Sequence, residues 1–181
     1  AFTYSLFLKF VGGLSPLIFY IKMKDVALFA FSTSSSAATI PVTLKTVNQD
    51  LGVNQNVASF VVPVGATINM DGTAIMQGLA TVFIAQMSGI DLTLFQYVQV
   101  VLLAVATSIG TAAVPSAGTI TLIIILQQFN LPLEAIGIIL AVDRVLDMIR
   151  TSVNVTGDAA IACIVAKTEN QLDENIFNSK A

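Results

Sequence analysis

Residues 92–133 read LTLFQYVQVVLLAVATSIGTAAVPSAGTITLIIILQQFNLPL and contain no Asp, Glu, Lys, Arg or His. Within them, 94–130 divides into an apolar helix, a small-residue tip from Thr107 to Thr119 punctuated by Gly110, Pro115 and Gly118, and a second apolar helix. A helix in a water-soluble core keeps a polar face, and this run shows none of useful width, so its solvent is lipid. Two helices meeting at a hydroxyl-rich tip form a hairpin that enters the membrane and turns back, which is allowed only where the tip is buried in protein or faces a wet cavity.

The rest of the chain agrees. Its 181 residues are 55% hydrophobic and 10% charged, with a mean hydropathy of +0.85, against about 25% charged in an average soluble domain. Between Asp50 and Glu134 the charged side chains are Asp71 and Asp91, so 51–70, 72–90 and 92–133 are uncharged. Runs of roughly 20 residues suffice to cross or re-enter a bilayer. The net charge of −3 with few basic residues speaks against nucleic acid as a partner. The absence of His removes the commonest general base and metal ligand together. Cys163, alone in an apolar stretch, offers no disulfide or zinc spacing and is a small packing residue. The chain starts at Ala1 and goes straight into an apolar segment without an initiator Met or signal n-region, which leads us to expect a fragment.

The expected organisation is an all-α membrane protein with two re-entrant hairpins and two long membrane helices. Residues 1–13 are the end of a membrane helix, closed by Gly12-Gly13. Residues 14–50 are the first re-entrant hairpin: a helix over 16–31, the polar run Ser32 to Ser36, and a helix over 37–47 with Pro41 in its first turns. Residues 51–90 are a membrane helix broken at Asn69-Met70-Asp71-Gly72-Thr73, a cluster costly enough in lipid to suggest a site. Residues 91–131 are the second hairpin, 132–168 the last membrane helix, and 169–181 a polar tail expected to fray. The likeness of the two tips is the internal symmetry of transporters built from inverted repeats.

The last helix carries Asp143, Asp147, Arg150, Asn154 and Asp158 at spacings that stack them on one face, with Thr151 beside them. One reading is structural, with Asp147 and Arg150 neutralising each other. The other is functional: with Asp71 and Arg144 the interior set holds more Asp than Arg, an excess that suits cations entering with a substrate. An acidic amino acid needs an Arg fork for a carboxylate, an Asp for the ammonium and backbone donors for the second carboxylate. Arg150, Asp147 and the half-helix after the Ser-rich tip offer these. Sodium, a hard cation, is matched by oxygen ligands near Asn69 to Asp71 together with Asp158. Without His or a Cys cluster, transition metals are not matched.

These residues resemble the dicarboxylate/amino acid:cation symporters, the glutamate transporter homologues. Asn69 to Thr73, Ser108-Ile109-Gly110-Thr111 through Gly118, and Asp143 to Asp158 resemble the family's signature motifs in order, over about residues 5–168. The resemblance implies the C-terminal half of an elevator transporter, whose substrate-bearing domain slides against a homotrimeric scaffold built mainly from earlier helices absent here. It implies a multi-pass protein of the cell (inner or plasma) membrane that carries aspartate or glutamate with sodium and has no organic cofactor. By motif, Asp147 holds the amino group and Arg150 the side-chain carboxylate. Thr73, Thr151 and Asn154 complete the pocket, and Ser34, Ser35 and Ser36 with Val114, Pro115, Ala117 and Gly118 close it. Sodium falls at the carbonyls of Gly65, Asn69 and Asn154 with the Asp158 carboxylate. A second position lies at the Thr67 to Met70 segment with Ser108, Ile109 and Thr111, and a third uses the Asn69 and Asp71 side chains with ligands from an earlier helix.

Two departures stand out. Archaeal relatives place Arg at the position of Ser34, and Ala37 replaces a further Ser. Arg144 is then expected to restore the charge by pairing with Asp143 or Asp147. The lysines agree with the family arrangement: Lys22, Lys24 and Lys45 lie at the base of the first hairpin and Lys167 and Lys180 in the tail, while the second hairpin's base has Asp91 and Glu134. The first hairpin therefore opens to the cytoplasm. Competing readings are a proton- or sodium-coupled C4-dicarboxylate symporter, against which Asp147 argues by repulsion, a neutral amino acid carrier of the same family, and a channel or structural module. No nucleophile and base pair suggests an enzyme.

Overall fold

The computed structural model describes residues 2–179, and the elements named among them are helical apart from one isolated bridge between Val53 and Leu172. In chain order they are α1 (Phe2–Phe10), α2 (Pro16–Thr33), α3 (Ser36–Gln49), α4 (Gln55–Ile68), α5 (Asp71–Met87), α6 (Leu94–Ser108), α7 (Ala117–Gln128), a 3₁₀ turn Leu133–Ala135, α8 (Ile136–Thr168) and α9 (Glu174–Asn178).

Local chemistry sets the boundaries. Pro16 opens α2, where a missing N–H costs nothing. Ser34 ends it in the left-handed conformation at φ 52°, and Ser35 then caps α3 by accepting the Ala38 N–H at 3.2 Å. The helices of the first hairpin therefore turn over two serines. Thr93 and Gln96 form a capping box at the start of α6. The second hairpin turns through Gly110 at φ 93° and Ser116 at φ 62°. Between α4 and α5 only Asn69 and Met70 leave the helix, with ψ of 72° and 47°. Gly72 and Thr73, expected in the break, are already in α5.

Helix α8 is the axis of the molecule and packs against α1, α2, α3, α4, α5 and α7. One apolar cluster, with Phe19, Met23, Leu51, Cys163 and Phe177, lies beneath the first hairpin. A second, with Ile84, Leu122, Ile125, Leu126 and Ile139, ties the second hairpin to α5 and α8. The distribution is inverted relative to a soluble protein: Asp143, Asp147, Arg150, Asn154 and Asp158 are buried, while Phe2, Leu17, Leu79, Leu94 and Phe95 are exposed. Among the described residues no helix is both long and apolar enough to cross a membrane by itself. The physical reason is plain: α4 and α5 have 14 and 17 residues either side of the break, and the 33-residue α8 carries the charged stripe.

The tail departs from expectation. It does not fray up to Ser179, because Phe177 is fully buried, the Asp173 N–H donates to Gly52 O at 2.8 Å and the Asn54 N–H to Gln171 O at 2.9 Å. Lys22, counted above only as a topogenic charge, is buried and donates to Asp50 O, Ile176 O and Ser179 Oγ at 2.8, 2.7 and 3.2 Å. Of the residues read from sequence, Ala1 and Lys180 lie outside the described ones.

Candidate substrate and cation site

Four segments far apart in sequence converge on one cavity: the first tip, the α4–α5 break, the second tip and the middle of α8. Its walls include Ser34, Ser36, Met70, Thr73, Thr111, Val114, Gly118, Asp147, Arg150, Thr151 and Asn154. Thus most of the expected substrate residues come together, and Met70 and Thr111, expected at a cation, join them. Ser35, Pro115 and Ala117 are not in the walls. Ser35 instead links the tips, its hydroxyl donating to Ala113 O at 2.9 Å beside the Ala37 N–H at 3.2 Å.

The stripe pairs internally. Arg150 Nε donates to Asp147 Oδ1 at 3.1 Å, and Nη2 reaches the same oxygen. The other Asp147 oxygen accepts the Ser116 N–H from the second tip at 2.7 Å. The structural reading of this pair therefore holds in this conformation, yet it leaves Arg150 Nη1 over. Among the described residues, the buried side-chain polar atoms without a hydrogen-bond partner are Arg150 Nη1 and Ser34 Oγ, and both residues line this cavity. A buried donor left unmet costs about 1–3 kcal/mol, more when charged, so the place asks for an anionic or polar guest. Gly118 lies against the guanidinium so closely that a Cβ there would overlap Nη1. The cavity holds about 10 Å³, the room of about one water, so a larger guest requires the second tip to move away from Asp147.

Asn154 holds the broken helix in place. Its Oδ1 accepts the Gly72 N–H at 2.8 Å, and its Nδ2 points at Met70 Sδ and Thr73 Oγ1 at 3.4 and 3.3 Å. Asp143 is bonded by the Thr119 hydroxyl. Arg144 pairs with neither Asp143 nor Asp147, contrary to expectation. It follows Asp143 by one residue, about 100° around the helix, and is exposed.

Below the cavity lies an oxygen-rich cluster. Asn69 Nδ2 donates to Asp158 Oδ1 at 3.0 Å, and Gly65 lies so near that a Cβ there would be 2.6 Å from that oxygen. The Tyr4 hydroxyl donates to Asp71 Oδ2 at 2.6 Å. Asp71, counted above with the interior acids, is exposed on this chain. The Thr67 carbonyl accepts the Gly110 N–H at 3.2 Å, which joins the break to the second tip near Ser108 and Thr111, both buried, whereas Ile109 is exposed. Among the described residues no group of three or more His, Cys, Asp or Glu could hold a metal. Carboxylate, amide and carbonyl oxygens fit a hard monovalent cation better than a transition metal.

Tyr4 and Gln77 escaped the sequence reading. Gln77, fully buried, donates to Gly118 O and Thr121 Oγ1 at 3.0 and 2.6 Å and accepts from Thr107 Oγ1 at 2.9 Å, tying both legs of the second hairpin to α5. Each shares its helix with other polar residues, Thr3, Ser5 and Lys9 in α1 and Thr73, Thr81 and Gln86 in α5, so nothing in the pattern singled it out.

A buried charged site walled by two hairpin tips inside an exposed apolar shell is the arrangement of a membrane module. A model of the sodium:dicarboxylate symporter family matches residues 1–168, and the chain belongs to that family, one of membrane symporters rather than enzymes. It is 47% identical over 151 residues to an excitatory amino acid transporter of Caenorhabditis elegans, covering 83% of this chain and 30% of the relative. It is 47% identical over 151 residues to human excitatory amino acid transporter 2, covering 83% of this chain and 26% of the relative, and 47% identical over 167 residues to mouse excitatory amino acid transporter 3, covering 92% and 32%. The chain thus spans between about a quarter and a third of these relatives' lengths.

Proposed function

We propose that the protein containing this chain is a secondary active transporter that couples sodium entry to uptake of an acidic amino acid, aspartate or glutamate, and that this chain is its substrate-carrying part. The observation that carries the reading is the pair of partnerless buried groups, Arg150 Nη1 and Ser34 Oγ, in one cavity with Asp147. A substrate carboxylate supplies what the guanidinium lacks, and an ammonium takes the place of the Ser116 N–H at Asp147. The names of the excitatory amino acid transporters it resembles point the same way.

In this reading α2–α3 and α6–α7 are re-entrant hairpins and the second tip, with Val114, Pro115, Ala117 and Gly118, is the gate. Sodium is cargo. It is held by the Gly65, Asn69 and Asn154 carbonyls with Asp158, at the Thr67 to Met70 segment with Ser108, Ile109 and Thr111, and by the Asn69 and Asp71 side chains. The exposed apolar shell meets lipid and a homotrimeric scaffold, against which the domain moves as an elevator in the cell membrane. In this reading the base of the first hairpin, with its lysines, lies on the cytoplasmic side, as the positive-inside rule expects.

The test is binding of aspartate, glutamate, serine and succinate to the purified full-length protein after a sodium jump. Aspartate or glutamate binding that appears only with sodium, and a shift toward serine in Arg150→Cys, are the expected results. Equal binding without sodium, tighter binding of succinate than of either amino acid, or unchanged aspartate affinity in Arg150→Cys would overturn the reading.

A further inference from the structure

Tyr4 stands on α1, outside every motif the site was read from, and yet its ring is buried and its hydroxyl meets a carboxylate at the break in the α4–α5 helix pair. The bond to Asp71 Oδ2 is 2.6 Å long and joins residues 67 positions apart in sequence. The space for the phenol comes from α8: a Cβ at Gly157 would overlap Tyr4 Oη and come within 2.6 Å of Asn69 Nδ2. Three helices thus meet at this hydroxyl, and a glycine keeps the place open.

A carboxylate has two oxygens, and a cation needs one of them turned toward it. Tyr4 takes Oδ2 from the buried side. Asp71 is exposed, and among the described residues its carboxylate has no other hydrogen-bond partner, so the second oxygen is left for the open side of the chain. Outer groups that hydrogen-bond a ligating carboxylate fix its orientation, and their loss typically weakens metal affinity by about 10–100-fold.

We infer that Tyr4 is a positioning residue for cation binding: its hydroxyl holds the Asp71 carboxylate with one oxygen presented to a monovalent cation, in a slot that Gly157 keeps clear. The inference rests on the proposed sodium coupling and adds a residue to it. Tyr4 touches the ligand and not the ion. Removing the hydroxyl therefore changes how tightly sodium is held and leaves the amino acid's own contacts at Arg150 and Asp147 in place.

The experiment titrates the purified full-length protein with sodium chloride, at constant ionic strength with choline chloride, and follows the sodium-dependent rise in melting temperature. Aspartate affinity at saturating sodium is measured beside it. In Tyr4→Phe, which keeps the ring, the half-saturating sodium concentration rises on the order of tenfold and aspartate affinity at saturating sodium is unchanged. In an Asp71→Asn background, Tyr4→Phe brings no further rise, because the group it positions is gone. Gly157→Ala, whose Cβ would crowd the Tyr4 hydroxyl and Asn69 Nδ2 together, gives a rise of the same direction that shrinks in the Asp71→Asn background, and supplies a second variant should Tyr4→Phe fold poorly. An unchanged sodium midpoint in both variants, a tightened one, or an equal further rise in the Asp71→Asn background would overturn the inference while leaving sodium coupling intact. A parent protein whose melting temperature and aspartate affinity ignore sodium would overturn the coupling itself, and this inference with it.

Discussion

The backbone N–H of Ser116 donates to Asp147 Oδ2 at 2.7 Å, so the second hairpin tip is bonded to the carboxylate at the centre of the polar stripe. The other oxygen of Asp147 is held by Arg150, three residues further along α8. One acid thereby closes the cavity from the tip side and orients the guanidinium from below. Any guest with a positive group competes with the Ser116 amide, and any guest with a negative group finds Arg150 Nη1 without a partner. On the proposed function, one ligand with both charges displaces the tip and satisfies the guanidinium.

On the proposed function, closure over the guest depends on Gly118. A methyl group at this position would overlap Arg150 Nη1 and lie 2.9 Å from Thr73 Cγ2. Gly118→Ala is expected to lower aspartate affinity by about tenfold or more, since the guanidinium must leave its rotamer. Isothermal titration calorimetry at saturating sodium checks this, and wild-type affinity would show that the guanidinium is not held against the tip.

Asp158 is the expected carboxylate of a cation position, bonded by Asn69 Nδ2 at 3.0 Å and approached by Gly65. Asp158→Asn removes a full negative charge beside the ion and is expected to raise the sodium concentration needed for half-maximal aspartate binding by about tenfold or more. Gly65→Ala should act in the same direction, because its Cβ would stand 2.6 Å from Asp158 Oδ1. A sodium titration of aspartate binding that is unmoved in both variants would remove Asp158 from the cation site.

Gln77 spans the legs of the second hairpin through Gly118 O, Thr121 Oγ1 and Thr107 Oγ1. Gln77→Leu removes these three links to α5, each worth about 0.5–1.5 kcal/mol, while Thr107 and Thr121 keep the carbonyls of their own helices as acceptors. The measurable outcome is faster amide hydrogen exchange across 107–121, with exchange in α2 and α3 unchanged. Uniform behaviour of both hairpins would contradict a clamp local to the second.

The tail up to Ser179 is a folded part of the chain. Phe177 is fully buried in the core beneath the first hairpin, and Lys22 binds the carbonyls of Asp50 and Ile176. Phe177→Ala is expected to destabilise by about 3–5 kcal/mol and to expose 171–179 to proteolysis. Limited digestion followed by mass spectrometry reads this out; a tail as resistant as in the parent would show that Phe177 contributes little.

Sequence spacing by itself determined the stripe of α8, because side chains three and four positions apart share a helical face wherever the helix sits. Uncharged runs around a hydroxyl-rich tip likewise determined the second hairpin's two helices, since a backbone removed from water must satisfy its own N–H and C=O groups locally. What only the tertiary structure decided is which groups meet. It bonded Asp147 to the Ser116 amide of the second tip, left Arg144 on the outside, and brought Tyr4 to Asp71 across 67 positions. It also docked a tail whose own pattern is too short to predict a buried face. Periodicity is a property of one helix, whereas a hydrogen bond between helices depends on their relative rotation and depth, which packing around α8 alone fixes.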